Sequence, residues 1–325
     1  MSKNKEYLLE VDDLHVDYKT DDAVVHAISG LNLKLEKGEK LGLVGETGAG
    51  KTTLALSILG LLPERVGKIA SGSIKYEGEE LIDKDESYML GLRGRRISMI
   101  FQDPMTSLNP TKTVGDQIHE VLRLHFPLLS KEEKDGKVDE ILNLVGIPSS
   151  RKNEFPHQFS GGMKQRIVIA MALISEPELL LADEPTTALD VTIQAQIMEL
   201  MRRLKDKFNT AVVLITHDLG IVAEFCDTVS VIYAGKVVEH GTVEQIFAGK
   251  ENHPYTRGLI GCIPDLTKNE ARLHPIPGRM MDPRVVPTGC SFAPRCPRKS
   301  DRCDKEAPKM HDICGHEILC HLYDN

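Results

Sequence analysis

The sequence predicts an α/β fold built around a mostly parallel sheet with helices on both faces. Three observations lead to this prediction. Short apolar stretches alternate with helical patterns along the first 250 residues, which is typical of parallel sheets. A glycine-rich loop joins one apolar strand to a helix. Another apolar stretch ends in two adjacent acids, at the strand end where such sheets place their ligands.

The predicted elements follow one another in a regular order. Leu31, Leu33 and Leu35 alternate with polar residues, which is the pattern of a half-buried strand. Buried strands are predicted at Leu41–Val44, Ile97–Phe101, Leu179–Ala182 and Ala211–Thr216. Helices are predicted at Lys51–Leu62, within 113–150, at Met163–Ile174 and at Ile193–Phe208.

The texture of the sequence changes after Tyr255, where prolines accumulate and periodicity fades. We therefore predict one large domain at 1–250 and a small irregular module at 251–325. Because this second segment is rich in proline and cysteine and poor in periodic apolar residues, we expect something other than a large apolar core to hold it together.

Charge and hydropathy exclude two classes of protein. The 325 residues carry a net charge of -8 with a pI near 5.9, which argues against a nucleic-acid binder that relies on a basic face. No apolar run approaches the roughly 18–20 residues that span a bilayer, and residues 1–10 lack the apolar core of a signal peptide. We expect a chain that stays in the cytosol and meets a membrane through a partner.

A phosphate-binding loop is the clearest motif. The string from Gly45 to Thr52 fits G-x-x-x-x-G-K-[ST] and stands between a strand and a helix, as the motif requires. Its glycines let backbone N–H groups approach phosphates. We expect Lys51 to reach the β and γ phosphates and Thr52 to ligate Mg²⁺. The expected nucleotide contacts in this loop are Gly45, Gly48, Gly50, Lys51, Thr52 and Thr53.

Two acids end the strand at 179–182. We expect Asp183 to hold Mg²⁺, directly or through water, and Glu184 to polarise the attacking water. Adjacent carboxylates thereby take different roles.

The string from Phe159 to Arg166, FSGGMKQR, resembles the signature of ABC ATPases. The serine and two glycines, Ser160, Gly161 and Gly162, precede a helix and leave N–H groups for a γ-phosphate. In the family that phosphate belongs to the opposite subunit. The resemblance implies an ABC-type phosphate-loop NTPase with a parallel-sheet core, an N-terminal antiparallel β subdomain and a helical subdomain at about 103–165. It also implies ATP hydrolysis with ATP and Mg²⁺ as cofactors.

The other family motifs occur in order. Gln102 matches the Q-loop glutamine, and the string ending at Asp190 matches the D-loop that crosses the dimer interface. His217 stands where the family has its switch histidine, which contacts the γ-phosphate. Tyr18 is placed to stack on adenine; its alternative is a core aromatic of an N-terminal strand.

Longer strings resemble a narrower group, the dipeptide/oligopeptide/nickel importer ATPases. These strings are 101–110, 155–163 and 253–257. The methionine that follows the signature glycines, Met163, resembles the residue that D-type subunits of that group have at this position. The resemblance implies import of short peptides or related solutes, on the cytoplasmic face of the membrane. Its implied partners are an F-type ATPase or a second copy, two permeases and, indirectly, a solute-binding protein. The alternative is a non-transport ABC ATPase of nucleic-acid metabolism or iron–sulfur assembly, for which we find neither a coiled-coil insertion nor a basic surface.

Cysteines concentrate near the end of the chain. The spacing of Cys290, Cys296, Cys303 and Cys320 resembles the pattern with which some D-type subunits hold a [4Fe–4S] cluster. Four thiolates suit that chemistry, but also a Zn²⁺ site, and reduced cysteines without metal are a third reading. Three basic residues near Cys296 are expected to offset the charge of a cluster: Arg295, Arg298 and Lys299.

Overall fold

The computed structural model describes residues 6–187, 189–263 and 275–324. The chain divides into two compact units. Unit 1 comprises Met1–Glu36, Leu41–Asp83 and Thr216–Asn325, and unit 2 comprises Lys37–Lys40 and Lys84–Ile215.

The strands are β1 Leu9–Lys19, β2 Val24–Leu35, β3 Lys40–Val44, β4 Gly67–Tyr76, β5 Glu79–Glu80, β6 Ile97–Ile100, β7 Leu179–Asp183, β8 Ala211–Thr216, β9 Thr228–Tyr233, β10 Lys236–Thr242, β11 Met310–Ile313 and β12 His316–Leu319. The helices are α1 Lys51–Ile58, α2 Glu86–Leu92, α3 Pro104–Ser107, α4 Val114–His125, α5 Lys131–Leu144, α6 Gly161–Leu173, α7 Val191–Phe208, α8 Leu219–Phe225, α9 Val243–Ala248, α10 Pro254–Gly261 and α11 Arg302–Lys305.

Unit 1 contains an antiparallel sheet of order β2-β1-β4-β5. Alternate apolar residues of β1 and β2 are buried, including Leu31 and Leu35, so this sheet shows the predicted period of two. A second set of strands in unit 1 runs in the order β11-β12-β10-β9-β3. The β3–β9 pair is parallel, and the remaining pairs in that set are antiparallel. Unit 1 thus carries the phosphate loop at the end of a parallel strand.

Unit 2 contains the parallel strands β8, β7 and β6 in that order. Its helices begin at side-chain caps, as isolated polar residues before helical patterns predict. Thr113 caps α4, Ser130 forms a capping box on α5, Ser160 caps α6 and Asp190 caps α7. Asn209 ends α7 in the left-handed conformation. The predicted helical subdomain, about 103–165, falls within this unit.

Most predicted elements were found close to their expected bounds. Strand β8 coincides with the prediction, and β7 extends it by Asp183. The first helix was predicted too long, because it ends at Ile58 rather than Leu62. Gly60 adopts a positive φ of 59° there and stops the helix, and Pro63 follows two residues after Leu61.

The C-terminal residues 275–324 include a hairpin that sequence analysis missed. Strands β11 and β12 pair with each other, and β12 pairs with β10. Phe292 is buried against the rings of Tyr233, Tyr255 and His253. The division at residue 250 remains a prediction. Within the described ranges, no helix is long and apolar enough to cross a membrane.

Candidate functional site

The phosphate loop joins β3 to α1 and is shaped by its glycines. Gly50 caps α1 with a φ of 103°, a conformation that side chains disfavour. A Cβ at Gly50 would lie 2.6 Å from the carbonyl oxygen of Ala27, and one at Gly45 would lie 2.3 Å from that of Ile232. Both positions therefore require glycine, and the N-terminus of α1 faces the loop.

Lys51 is buried although it carries a charge, with 7% of its surface exposed. Its Nζ donates to the carbonyl oxygens of Gly45 at 2.7 Å and Glu46 at 3.1 Å. The ammonium group thus lies across the loop, where a phosphate would meet it. The N-terminal end of α1 adds the positive end of a helix dipole.

Tyr18 of β1 lies beside the start of α1. Its hydroxyl donates to Oγ1 of Thr53 at 3.3 Å, and its ring is half-buried against Gly67. The structure thus brings two predicted nucleotide contacts together. Thr52 is exposed at the surface of the loop.

Glu184 follows β7 in unit 2 with a strained backbone. Its φ of 46° is in the left-handed region, which costs energy for a residue with a side chain and is typical of functional sites. Its Oε2 accepts from Nε2 of Gln102 at 3.0 Å and from Oγ1 of Thr187 at 2.9 Å. Asp183, the preceding residue, is buried. The structure therefore joins two predicted catalytic residues, Gln102 and Glu184.

The signature residues start α6 in unit 2. Ser160 caps the helix by accepting from the N–H of Met163 at 3.4 Å. Gly161 is exposed, and a Cβ at Gly162 would lie 2.6 Å from Cγ2 of Ile193. The N–H groups of a first turn have no carbonyl partner within their helix. This end of α6 is therefore open to an anion.

Asp190 and His217 are placed by neighbouring caps. Asp190 accepts from the N–H of Ile193 at 2.9 Å and so starts α7. Ala188, in the middle of the predicted D-loop, lies outside the described residues. His217 belongs to unit 1, where it directly follows the last residue of β8 and is exposed. The next residue, Asp218, caps α8. These positions agree with the predicted order of motifs, and the roles of both residues remain predictions.

Sequence analysis missed two contacts to the phosphate loop, which Tyr255 and Arg295 both make to Glu46 of the loop. The N–H of Glu46 donates to the hydroxyl of Tyr255 at 2.9 Å. Its carboxylate accepts from Nη1 of Arg295 at 2.7 Å and from Nη2 at 2.9 Å. Burial raises the pKa of Tyr255, and the Glu46 carboxylate raises the pKa of Arg295. The one signal in the sequence was an acid inside an anion-binding loop.

Four cysteine side chains line one cavity in unit 1 together with Phe292 and His321: Cys290, Cys296, Cys303 and Cys320. Burial raises the pKa of Cys290, Cys296 and Cys320, the last to about 11. Across the described part of the chain, no three His, Cys, Asp or Glu side chains form a group that could hold a metal ion.

The basic residues near Cys296 do not all serve the cavity. Arg295 was predicted to offset the charge of a cluster and instead pairs with Glu46. Lys299 pairs with Asp304 at 2.8 Å, and Arg298 does line the cavity. The prediction for Arg295 was wrong because the chain turns its guanidinium away from the cysteines toward a carboxylate distant in sequence.

Comparison with known proteins agrees with this fold. Residues 28–187 match the ABC transporter family, and residues 238–303 match the C-terminal region of oligopeptide/dipeptide transporters. The ATP-binding cassette MJ0796, in a dimeric post-hydrolysis state bound to ADP and Pi, superimposes with a TM-score of 0.65. It is 27% identical, over 72% of this chain and 98% of that one. The match defines the fold as that of an ABC ATPase.

Two relatives narrow the class. The dipeptide transport ATP-binding protein DppD of Bacillus subtilis is 49% identical over 98% of this chain and 96% of its own length. The oligopeptide transport ATP-binding protein OppD of Haemophilus influenzae is 48% identical over 93% of each chain. The chain belongs to the ABC transporter family, among the ATP-binding proteins of peptide transporters. It is an ATP-hydrolysing subunit, and the alternative of a non-transport ABC ATPase is not favoured.

Proposed function

We propose that this chain binds MgATP on its phosphate loop and hydrolyses it to drive import of dipeptides, oligopeptides or related solutes. The observation that carries the proposal is the setting of Glu184, a strained acid at a strand end whose Oε2 accepts from Gln102 and Thr187. These two hydrogen bonds orient the carboxylate, and an oriented carboxylate at a strand end suits a group that polarises water.

The roles divide between binding and chemistry. In the proposal Lys51, Thr53 and the loop glycines bind the phosphates, and Tyr18 stacks on the adenine. Mg²⁺ would be held by Thr52, Gln102 and Asp183, hydroxyl, amide and carboxylate oxygens being the ligands that it prefers. Magnesium bound there would offset the charge that develops in phosphoryl transfer. Glu184 then orients the attacking water.

A second ATPase subunit completes the proposed site. The open first turn of α6, at Ser160, Gly161 and Gly162, would receive the γ-phosphate held by the partner. Asp190 lies at the proposed interface, and His217 would contact the γ-phosphate bound by its own chain. ATP would thus join the two subunits and hydrolysis would release them. The dimeric relative bound to ADP and Pi supports this arrangement.

The remaining partners follow from the relatives named for peptide transport. We propose an F-type ATPase or a second copy as the dimer partner. Two permeases would bind the pair at the cytoplasmic face of the membrane, and a solute-binding protein would deliver the peptide. The chain would then be a peripheral membrane protein.

The thiols of the cysteine cavity have the donor chemistry of a metal centre, although the described residues include no group arranged to hold a metal ion. Its four thiols suit a [4Fe–4S] cluster or, as the alternative, Zn²⁺. Either centre would cross-link residues 290–320. The test is iron, zinc and acid-labile sulfide per chain on protein purified without oxygen. About four iron and four sulfide support the cluster, zinc without sulfide supports the alternative, and neither metal contradicts both.

Peptide uptake tests the proposed function directly. We expect cells in which the gene is deleted to lose uptake of a labelled dipeptide or oligopeptide. The wild-type gene should restore it, and the Lys51→Ala gene should not, because the variant loses its phosphate contact. Equal uptake with and without the gene, across peptides of two to five residues, would contradict the assignment of peptide as cargo.

A further inference from the structure

The phosphate loop carries a negative charge of its own. Glu46 is its second residue, and the loop must receive a polyphosphate. An unpaired carboxylate there would repel the ligand. The guanidinium of Arg295 binds both oxygens of this carboxylate, in the bidentate geometry that gives the strongest ion pairs.

Arg295 is held firmly in this position. Its side chain is 5% exposed, against 30% for that of Glu46. Its Nε donates to the carbonyl oxygen of Pro277 at 3.0 Å. Its guanidinium carbon lies 5.8 Å from the ring centroid of Tyr233 and 6.0 Å from that of Phe292. A guanidinium fixed on all sides loses little entropy when it pairs with a carboxylate.

The residues that follow position 250, here called the C-terminal segment, contact the loop at two further points. The hydroxyl of Tyr255 accepts from the N–H of Glu46. Near the middle of the loop, a Cβ built on Gly48 would lie 3.2 Å from Cε of Met280. The loop therefore rests on residues that follow position 250 as well as on β3 and α1.

We propose that Arg295 is a positioning residue for nucleotide binding, which neutralises Glu46 and holds the phosphate loop in the shape that receives ATP. The inference rests on the proposed function, because it takes the loop as the site of ATP. It makes the C-terminal segment part of the nucleotide site. It also predicts opposite effects for the two members of one ion pair.

The test uses the full chain, a fluorescent ATP analogue and Mg²⁺. We expect Arg295→Met to weaken nucleotide binding at least about tenfold, equivalent to about 1.4 kcal/mol, because Glu46 then faces the phosphates unneutralised. Glu46→Gln should bind as tightly as wild type or more tightly. The double variant Glu46→Gln/Arg295→Met should recover most of the affinity, since the repulsive charge is gone.

Salt and a matched control separate this electrostatic role from a structural one. The loss in Arg295→Met should shrink between about 0.05 and 0.5 M salt, because screening weakens the repulsion. Arg284→Met is the control, since Arg284 of the same segment pairs with Asp282 in solvent; its affinity should equal that of wild type. Arg295→Lys keeps the charge without the bidentate contact and should fall between wild type and Arg295→Met.

Two results would overturn the inference. One is Arg295→Met binding within twofold of wild type. The other is a loss that Glu46→Gln does not restore. If Arg295→Met does not fold, Glu46→Gln alone decides, because markedly weaker binding by that variant contradicts the proposal. Wild-type protein that binds no ATP would instead overturn the proposed function.

Discussion

Each unit has a glutamate in a loop that follows a parallel strand, and the two carboxylates have different kinds of hydrogen-bond partner. Glu184 accepts hydrogen bonds from the neutral groups of Gln102 and Thr187. Glu46 is paired on both oxygens with the guanidinium of Arg295, which offsets its charge. Under the proposed function, the environment of each carboxylate, and not its residue type, decides whether it takes part in the chemistry or supports the loop.

The largest expected effect comes from neutralising the reactive member. We expect Glu184→Gln to lower turnover in the assembled complex by about 10²- to 10⁴-fold, because the amide keeps the shape but cannot polarise water. Nucleotide affinity should not change, since binding and water activation use different groups. Phosphate release and nucleotide titration measure the two. The control is Glu178→Gln, at the other end of β7, where the acid pairs with Arg96; its turnover should equal that of wild type. Wild-type turnover by Glu184→Gln would contradict the role assigned to Glu184.

A smaller loss is expected from the phosphate loop. Lys51→Ala removes a charged hydrogen-bond donor, worth about 1.5–3 kcal/mol, so the dissociation constant for ATP should rise about 10- to 150-fold. Titration with a fluorescent nucleotide measures it. Lys34→Ala, an exposed lysine of β2, should bind as wild type does. Unchanged affinity in Lys51→Ala would count against the loop as the phosphate site.

The smallest effect is expected from Thr187, whose hydroxyl donates to the Glu184 carboxylate. Thr187→Val removes a hydrogen-bond donor to Glu184 and keeps the size of the side chain. A neutral hydrogen bond is worth about 0.5–1.5 kcal/mol, so turnover should fall about 2- to 10-fold while ATP affinity stays constant. Steady-state hydrolysis over a range of ATP concentrations separates the two. A change confined to affinity would show that Thr187 acts on binding rather than on the carboxylate.

Local patterns in the sequence predicted the second half of β2, the strands β3, β6, β7 and β8, and the two motif-bearing loops. The strands β1, β4, β9 and β10 were not among the predicted elements. β8 was predicted to the residue because six apolar or β-branched residues end at a clear motif. Gln102, Glu184 and the signature residues were identified by their order. The contact between Gln102 and Glu184, 82 positions apart, then follows from two parallel strands, β6 and β7, ending side by side.

Long-range polar contacts could not be predicted in this way. Glu46 and Arg295 are 249 positions apart, and no period or spacing connects them. Arg295 was predicted, together with Arg298 and Lys299, to offset the charge of a cluster because it adjoins Cys296, but adjacency in sequence says little about where a long side chain points. The hairpin β11–β12 was missed because its four-residue strands are mixed in polarity.

Because β12 lies near the end of the chain, its pairing with β10 can form only late in synthesis. Glu239 of β10 is fully buried, and it accepts from Nδ2 of Asn252 at 2.8 Å and contacts Nε2 of His316 at 2.7 Å. Synthesis of the strands of unit 1 begins at residue 9, but this carboxylate gains its contact with His316 only after residue 316 has been made. Pairings so distant form late and leave earlier segments exposed to aggregation. A chain truncated before the hairpin would lack the contact between this carboxylate and His316.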